Sequence, residues 1–425
     1  MIVWLIGSFF VMMFLGVPIG ISLGLAAMGG IVFFDAGSMV TVCQRMFEGM
    51  NSWALLAIPL YTFAGYTMSK GGISERLMNF CYSIVGHIYG GLAHVNVLSS
   101  MIFAGISGSA VADTAGVSGM FMPEMVRKGY SKELTVSVTA ISSTIGIIIP
   151  PSIPMVVIAG ICNISTGKLF LGGIIPGILI GICQMILCYF FAKKEGVDKE
   201  PGHFSWGPLW KAFLGSWPAL LMPVVIIGTI TAGIVSPTEA GAIAVAYGLI
   251  VGGLVYKEFK FEDLKAAFIE TVRVSGRIFV VIGAAKLFTI MLTTAGFDKW
   301  LTSRMLGVST NPTVILIMIL LLFFIVTMFM ESIATLTLFM PIVFPIAMSV
   351  GIDPIVLGVL VTVVIGIGLV TPPVGMCIYV ACDLMKIRVG QTMKYLAWFI
   401  LGTFVCVGIL IAFQGLITAP GMLMG

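Results

Sequence analysis

Residues 107–155 read SGSAVADTAGVSGMFMPEMVRKGYSKELTVSVTAISSTIGIIIPPSIPM, and residues 329–377 read FMESIATLTLFMPIVFPIAMSVGIDPIVLGVLVTVVIGIGLVTPPVGMC. The second stretch follows the first at a constant offset, 329 − 107 = 222, without a gap over 49 positions. In that register Pro123 falls on Pro345, Gly129 on Gly351, Gly146 on Gly368, and Pro150-Pro151 on Pro372-Pro373. Each copy runs through a break of small residues, a Pro, a short Gly-containing loop and an apolar run that ends in Pro-Pro. One such unit in each half of an apolar chain is the pattern of a transporter whose binding site lies between two repeats.

Composition sets the environment. The 425 residues are 59% hydrophobic and 9% charged, with a mean hydropathy of +1.14, which excludes a soluble globular chain. Apolar stretches near the ~20 residues that cross a bilayer cover most of the sequence. The first of them has no basic leader and merges into a second, so a retained helix is expected rather than a signal peptide. The net charge of +4 says little about nucleic acid, because the basic residues are scattered over loops, and no nucleic-acid partner is expected. Eight cysteines show no metal-ligand spacing; Cys377 and Cys382 read as small packing residues.

Spanning segments are expected near 2–16, 18–34, 53–69, 134–161, 169–192, 210–232, 237–256, 276–296, 354–384 and 393–417. Two further apolar regions, 92–123 and 312–345, are interrupted at mid-length by small and polar residues. Each reads as a re-entrant hairpin that enters and leaves on one side. Segments 36–50, 74–88, 259–274 and 298–306 carry charges too often to span and read as interfacial amphipathic helices. This topology puts 17 of the 22 Lys and Arg on one side, four on the other (Arg45, Lys168, Lys299, Arg304) and Lys286 inside a span. The positive-inside rule then places the rich side in the cytoplasm and both termini outside. The first hairpin enters from the cytoplasm and the second from outside. A polar linker, 193–211, separates repeat one (1–192) from repeat two (212–425). The expected fold is an all-α polytopic membrane protein with inverted-topology repeats, two re-entrant hairpins and two Pro-Pro-broken helices, 134–161 and 354–384.

The run Ala104-Gly105-Ile106-Ser107-Gly108-Ser109-Ala110 is small and polar at membrane depth. Non-helical backbone is tolerated there only where protein buries it or it lines a cavity. Pro150 and Pro151 have no N–H, so carbonyls one turn earlier, around Gly146 and Ile147, lose their helical donors. Pro372-Pro373 does the same around Gly368 and Ile367. Such carbonyls facing the Ser107 and Ser109 hydroxyls make a cage for a hard monovalent cation, with Na⁺ the natural candidate. The half-helices that restart after each break point their positive ends at an anion. A Pro kink with small-residue packing is the simpler explanation of one such break; recurrence at identical spacing beside two broken hairpins speaks against it.

At these residues the chain resembles the large permease subunit of the tripartite ATP-independent periplasmic (TRAP) transporters. The resemblance rests on Gly-x-Ser-Gly-Ser-x-x-x-Asp (105–113), Met122-Pro123-Glu124-Met125 and Gly129-Tyr130. It continues through Pro237-x-Glu239-Ala240-Gly241 and Met330-Glu331 with Pro341, Pro345 and Gly351-x-Asp353-Pro354, to Thr371-Pro372-Pro373-Val374-Gly375. It covers essentially the whole chain. It implies a bacterial inner-membrane protein that imports an organic acid, a C4-dicarboxylate or a sialic-acid-like carboxylate, on a Na⁺ gradient by an elevator-type motion. It further implies two partners: a small membrane subunit and a periplasmic substrate-binding protein. Because this chain starts almost directly with its first span, the small subunit is expected to be a separate polypeptide. The family's first sodium site carries onto Ser107, Ser109, Gly146, Ile149 and Pro151. Adding 222 gives Phe329, Glu331, Gly368, Thr371 and Pro373 for the second, so that two Na⁺ are expected per transport cycle. Glu331 stands where Ser109 stands in the first copy. Candidate substrate contacts are Gly108, Asp113, Asn163, Ser165, Met330, Ser332 and Pro372.

Asp113, Glu239, Lys286 and Glu331 lie inside apolar segments, where a charge is costly and usually has a role. Asp113, one turn past the Ser-Gly-Ser tip, is placed to shape the first site or the substrate pocket. Ser236-Pro237-Thr238-Glu239 is a capping-box pattern, so Glu239 reads as a helix cap. Lys286 is expected to pair with a carboxylate, the alternative being that it meets the substrate's negative charge. Trp4, Trp53, Trp300 and Trp398, near span ends, read as interface anchors. Gly105-Ile106-Ser107-Gly108 also matches an intramembrane serine protease, but the three histidines (87, 94, 203) fall at or outside membrane edges, which leaves Ser107 without a base. A channel would share the apolar composition, and a stand-alone Na⁺/carboxylate symporter needing no binding protein would share the inverted repeats as well.

Overall fold

The computed structural model describes residues 1–197 and 204–423, which form helices and their connections. The first half holds α1 (Ile2–Phe14), α2 (Ile19–Phe34), α3 (Met39–Met50), α4 (Ala57–Lys70) and α5 (Ile73–Val85). It continues with α6 (Gly91–Ser107), α7 (Ala110–Arg127), α8 (Lys132–Ser143), α9 (Ile153–Cys162) and α10 (Thr166–Glu195). The second half holds α11 (Trp206–Thr231), α12 (Pro237–Ile250), α13 (Phe261–Thr294), α14 (Phe297–Val308) and α15 (Pro312–Thr327). Then come α16 (Ser332–Ser349), α17 (Pro354–Gly368), α18 (Met376–Met385), α19 (Val389–Ala412) and the short α20 (Gly415–Thr418). Hydroxyl and carboxylate N-caps set many starts. Ser109, Ser131, Ser152, Ser165 and Asp353 each accept a backbone N–H of the first turn that follows.

The helix bounds keep the sequence offset. Shifting α7 by 222 gives 332–349, the bounds of α16, and the starts of α8 and α17 differ by 354 − 132 = 222. The halves depart from one another at α13. The charge pattern predicts an interfacial segment over 259–274 and a separate span over 276–296, but α13 runs unbroken from Phe261 to Thr294. Its counterpart in the first half is interrupted at Asn51-Ser52, and Pro59 in the first turn of α4 offers no N–H to continue the preceding turn. Arg273, Val274 and Val281 hold those places in α13, and none of them stops a helix. At 1.5 Å per residue α13 is about 51 Å long, well beyond a hydrocarbon layer of about 30 Å. Its charged first third, with an exposed Arg273–Glu270 ion pair at 2.6 Å, therefore projects past the apolar layer.

Smaller differences follow the same logic. The hairpins do not end at Pro123 and Pro345: α7 runs through Pro123 to Arg127, and α16 through Pro341 and Pro345 to Ser349. The linker shortens, because α10 reaches Glu195 and α11 begins at Trp206. Lys199 and His203 lie outside the described residues.

Two groups of helices emerge from the packing. α1, α2, α3 and α13 share an apolar cluster through Leu5, Phe9, Leu23, Ala284 and Phe288, and α4 packs on α12 and α13. The larger core holds α6–α10 and α15–α19 around Leu134, Val138, Leu360 and Val364, and takes in Tyr61 of α4, Leu77 of α5, Met222 of α11 and Ala244 of α12, while α16 also reaches the first cluster through Ala334 and Leu338. Contacts between the halves are reciprocal: α7 packs on α18 while α16 packs on α9, and α10 packs on α17 while α19 packs on α8. At the centre, Thr144 and Gly366 occupy one repeat position (144 + 222 = 366) and touch; a β-carbon on Gly366 would stand 3.3 Å from the Thr144 Cβ. Six helices among the described residues are long and apolar enough to cross a membrane: α10, α11, α12 with its continuation to Val255, α13, α16 and α19. The chain is a multi-pass membrane protein.

Candidate transport site

The first broken pair is built from backbone and hydroxyl oxygens. α6 ends at Ser107 because Gly108 turns left-handed, with φ 64°. Ser109 then caps α7, its hydroxyl accepting the Ala112 N–H at 3.4 Å. This tip rests on the break between α8 and α9. The Ile153 N–H donates to the Gly108 carbonyl at 3.2 Å, and a β-carbon on Gly108 would lie 2.7 Å from the Pro151 carbonyl oxygen. Pro150 offers no N–H to the Gly146 carbonyl, whereas the Ile147 carbonyl accepts the Ser152 hydroxyl at 2.5 Å. Gly146 faces the tip: a β-carbon there would be 3.6 Å from both the Ser109 carbonyl oxygen and Asp113 Oδ2. Ile149 turns its side chain onto Gly177 of α10, so a carbonyl is all it offers the break. Ser107, Gly108, Ser109, Asp113, Gly146 and Pro151 are thus gathered around one tip.

The second pair repeats the design with different local bonding. α15 ends at Thr327, and the Val374 N–H clips the tip to the break by donating to the Met328 carbonyl at 3.0 Å. Gly368 lies against Thr327, whose Cβ would be 2.6 Å from an added β-carbon. Here the expected free carbonyls are engaged: Gly368 accepts the Thr371 N–H at 3.1 Å, and Ile367 accepts the Thr371 hydroxyl at 2.7 Å. Ile367 also accepts the Val370 N–H at 3.2 Å, so both its lone pairs are used, whereas Gly368 keeps one for another partner. Both Pro-Pro bonds are cis, and Pro373 is exposed where Pro151 is buried. Phe329 and Met330 turn toward the apolar cluster around α2 and α13, and the Met330 side chain is 2% exposed.

The difference between Ser109 and Glu331 is half of an exchange. Glu331 is the N-cap of α16 and spends its carboxylate there, accepting from Ile333 N–H at 2.9 Å, Ala334 N–H at 3.2 Å and the Ser332 hydroxyl at 2.8 Å. One turn on, the first copy has Asp113 and the second has Thr335 (113 + 222 = 335). Each tip therefore carries one carboxylate and one hydroxyl at the cap and cap-plus-four positions, in opposite order. Asp113 is 2% exposed, and neither of its carboxylate oxygens has a hydrogen-bond partner among the described residues. Sequence motifs do not single out Thr335 or Ser152; the 222 offset from Asp113 is the signal that points to the first.

Other sequence candidates lie elsewhere. Asn163, left-handed at the end of α9, and Ser165, the N-cap of α10, are exposed and separated from Pro151 by the ten residues of α9, about 15 Å. Asn163 lines a cleft of about 410 Å³ with Ser52, Trp53, Ser236 and Thr238. Pro372 is half-buried at the second break. Glu239 closes a capping box with Ser236, as its spacing predicts. Lys286 does not pair with a carboxylate among the described residues; its stem packs on Gly49 of α3 and the residue is exposed. His94 is buried near the start of α6, with Nδ1 2.9 Å from the Gly90 carbonyl oxygen. It sits 107 − 94 = 13 residues from Ser107 along α6, about 20 Å, too far to serve that serine as a base.

Two broken helix pairs meeting two broken helices inside a multi-pass bundle define a transport permease, not an enzyme. The family model of the tripartite ATP-independent periplasmic transporter, DctM component, matches residues 6–416. The chain belongs to this family. It is 35% identical to the sialic acid TRAP transporter permease protein SiaT of Haemophilus influenzae, over 100% of this chain and 68% of that one. It is 34% identical to the C4-dicarboxylate TRAP transporter large permease protein DctM of Vibrio cholerae, over 90% and 89% of the two chains. Identity to the isethionate TRAP transporter permease protein DctMQ of Oleidesulfovibrio alaskensis is 36%, over 92% of this chain; the match spans only 61% of that longer relative. The fold is similar to that of the Alcanivorax borkumensis YdaH transporter, with a TM-score of 0.56 at 15% identity and 89% of each chain covered.

Proposed function

We propose that this chain is the permease subunit of a Na⁺-coupled importer of an organic acid in a bacterial inner membrane. A periplasmic binding protein delivers the acid, and a small membrane subunit completes the complex. The carboxylate class follows from the relatives named for sialic acid and C4-dicarboxylate. The halves 1–192 and 212–425 are inverted repeats about an axis beside Thr144 and Gly366, and both termini are periplasmic. Reciprocal packing supports this: a residue touches its own repeat mate only beside a two-fold axis. On this reading α6–α7 and α15–α16 are re-entrant hairpins from opposite faces, and the group α6–α10 with α15–α19 moves as the elevator against the rest. α16 is long enough to cross alone, but its two interior prolines and its tip on the α17–α18 break favour the re-entrant course.

The observation that supports the reading is the tip-on-break geometry: Gly108 of the tip rests on Pro151, and Gly146 of the break lies against the Ser109 carbonyl and the buried Asp113. Na⁺ is bound there by Ser107, Ser109, Gly146, Ile149 and Pro151, and in the second cage by Phe329, Glu331, Gly368, Thr371 and Pro373. Glu331 contributes a carbonyl, because its side chain is engaged as a cap. The carboxylate sits between the tips, near Gly108, Asp113, Ser332 and Pro372, facing helix N-termini. Two Na⁺ entering with one monoanion move one positive charge inward, about 2.3 kcal/mol per 100 mV beyond the sodium gradient.

Ser109→Ala is expected to raise the half-saturating Na⁺ for uptake by the reconstituted complex; an unaltered Na⁺ dependence refutes the first cage. Uptake unchanged when K⁺ replaces Na⁺ refutes sodium coupling as a whole. Uptake in proteoliposomes without any binding protein would favour the stand-alone symporter.

A further inference from the structure

We propose that a one-sided file of buried oxygen ligands leads Na⁺ from the first cage, between α6 and α8, to the basic end of the bundle. The inference rests on the sodium reading above. The file starts at Asp113, which lies against Gly146, one turn beyond Ser142. Ser100 donates to the Ser142 hydroxyl at 3.1 Å, and Ser142 to Asn96 Oδ1 at 3.3 Å. Asn96 Nδ2 donates to the Thr139 hydroxyl at 2.7 Å. One turn further along α8 lies Thr135, whose hydroxyl makes no hydrogen bond among the described residues. The next turn is Ser131, at the surface, where its backbone N–H donates to Glu195 Oε2 at 3.0 Å and Tyr395 donates to Glu195 Oε1 at 2.6 Å. Ser131, Thr135, Thr139 and Ser142 recur at intervals of four, four and three, on one face of α8 that ends at Gly146. The whole run covers about 20 Å.

The repeat supplies an internal control. The second half packs the equivalent helices, α15 on α17, in the same way. Yet the mates of Asn96, Ser100, Thr135, Thr139 and Ser142 are Met318, Leu322, Leu357, Val361 and Val364. Thr362, the hydroxyl residue of α17, bonds back to its own Gly358 carbonyl at 2.8 Å and has Ala140 as its mate. Packing of this helix pair therefore requires no polar side chain. Buried polar groups are costly unless satisfied, and Asp113 and Thr135, at 2% and 0% exposure, have no side-chain hydrogen bond among the described residues. The mouth differs as well: the mate of Glu195 is Ile417, and the mate of Ser131 is Asp353, whose carboxylate is engaged as the cap of α17. Oxygen ligands about one helical turn apart, starting at an unpaired carboxylate and ending at another carboxylate, suit the stepwise passage of a hard cation. The charge-based topology puts that mouth in the cytoplasm, so the file is the release route of the first Na⁺.

The test is radiosodium uptake into proteoliposomes holding the permease with its small subunit, driven by the binding protein charged in turn with succinate, isethionate and N-acetylneuraminate. Thr135→Val, which removes a hydroxyl that bonds to nothing among the described residues, is expected to slow sodium uptake roughly tenfold, the equivalent of one lost ion contact. Half-saturating external Na⁺ and the thermal midpoint should stay at wild-type values. Thr135→Val with Thr139→Val should be slower still. Ser137→Ala, on the opposite face of α8, serves as the control and should transport normally. Wild-type rates in both valine variants, or an equal loss in Ser137→Ala, overturn the file. Absence of substrate-driven sodium uptake in the wild type instead overturns the coupling reading on which it rests.

Discussion

Gly108→Ala offers the sharpest measure of the tip-on-break contact. Gly108 holds φ 64°, and an alanine there bears the left-handed strain of about 1–2 kcal/mol. The new methyl would also stand 2.7 Å from the Pro151 carbonyl oxygen and 3.5 Å from the Ile153 nitrogen, both backbone atoms that cannot swing aside. Overpacking of this kind costs about 1–3 kcal/mol more. Gly351→Ala separates the two effects: Gly351 has φ 80°, but nothing lies within 4 Å of the added carbon, so only the conformational strain applies. Thermal unfolding of the purified permease should rank wild type above Gly351→Ala and Gly351→Ala above Gly108→Ala, the second gap being about 1–3 kcal/mol. Since relief of the overlap pushes the tip off the break, Gly108→Ala should also require more Na⁺ for half-maximal uptake, while Gly351→Ala should not. Equal stabilities of the two variants, with equal Na⁺ dependence, would refute a tip seated on Pro151.

Two further outcomes follow from the side-chain geometry. Glu195 bonds both Ser131 and Tyr395, so Glu195→Ala and Tyr395→Phe should destabilise by less together than the sum of their separate effects, with a coupling of at least about 0.5 kcal/mol in a double-mutant cycle; strict additivity contradicts the clamp. Lys286 makes no ion pair among the described residues and is exposed, so Lys286→Met should leave the thermal midpoint within about 0.5 kcal/mol of wild type. A large loss there would restore the buried pair that the apolar setting of Lys286 first suggests.

Much of the architecture was legible because it is written in backbone chemistry. Pro without an N–H, Gly with left-handed freedom and Ser at N-caps act locally, so Pro150-Pro151, Gly108 and Ser109 announce the breaks before any tertiary contact is known. The 222 offset carries one reading to the other half, and α16 begins and ends where α7 shifted by that amount does. α13 escaped because an absence of breakers is weaker information than their presence. Its charged stretch resembles a separate interfacial helix, although Arg273 and Val274 do nothing to interrupt one.

The sequence by itself determined a membrane permease of two repeats with paired broken helices, since hydropathy, proline and periodic spacing act within a single segment. Only the tertiary structure decided what the polar groups face. It showed Glu331 occupied as a cap, Lys286 exposed on Gly49, Asn163 far from the tips, and Asp113 without a hydrogen-bond partner among the described residues. A side chain's partners come from helices distant in the chain, and spacing along one helix fixes its face but not the neighbour that face meets.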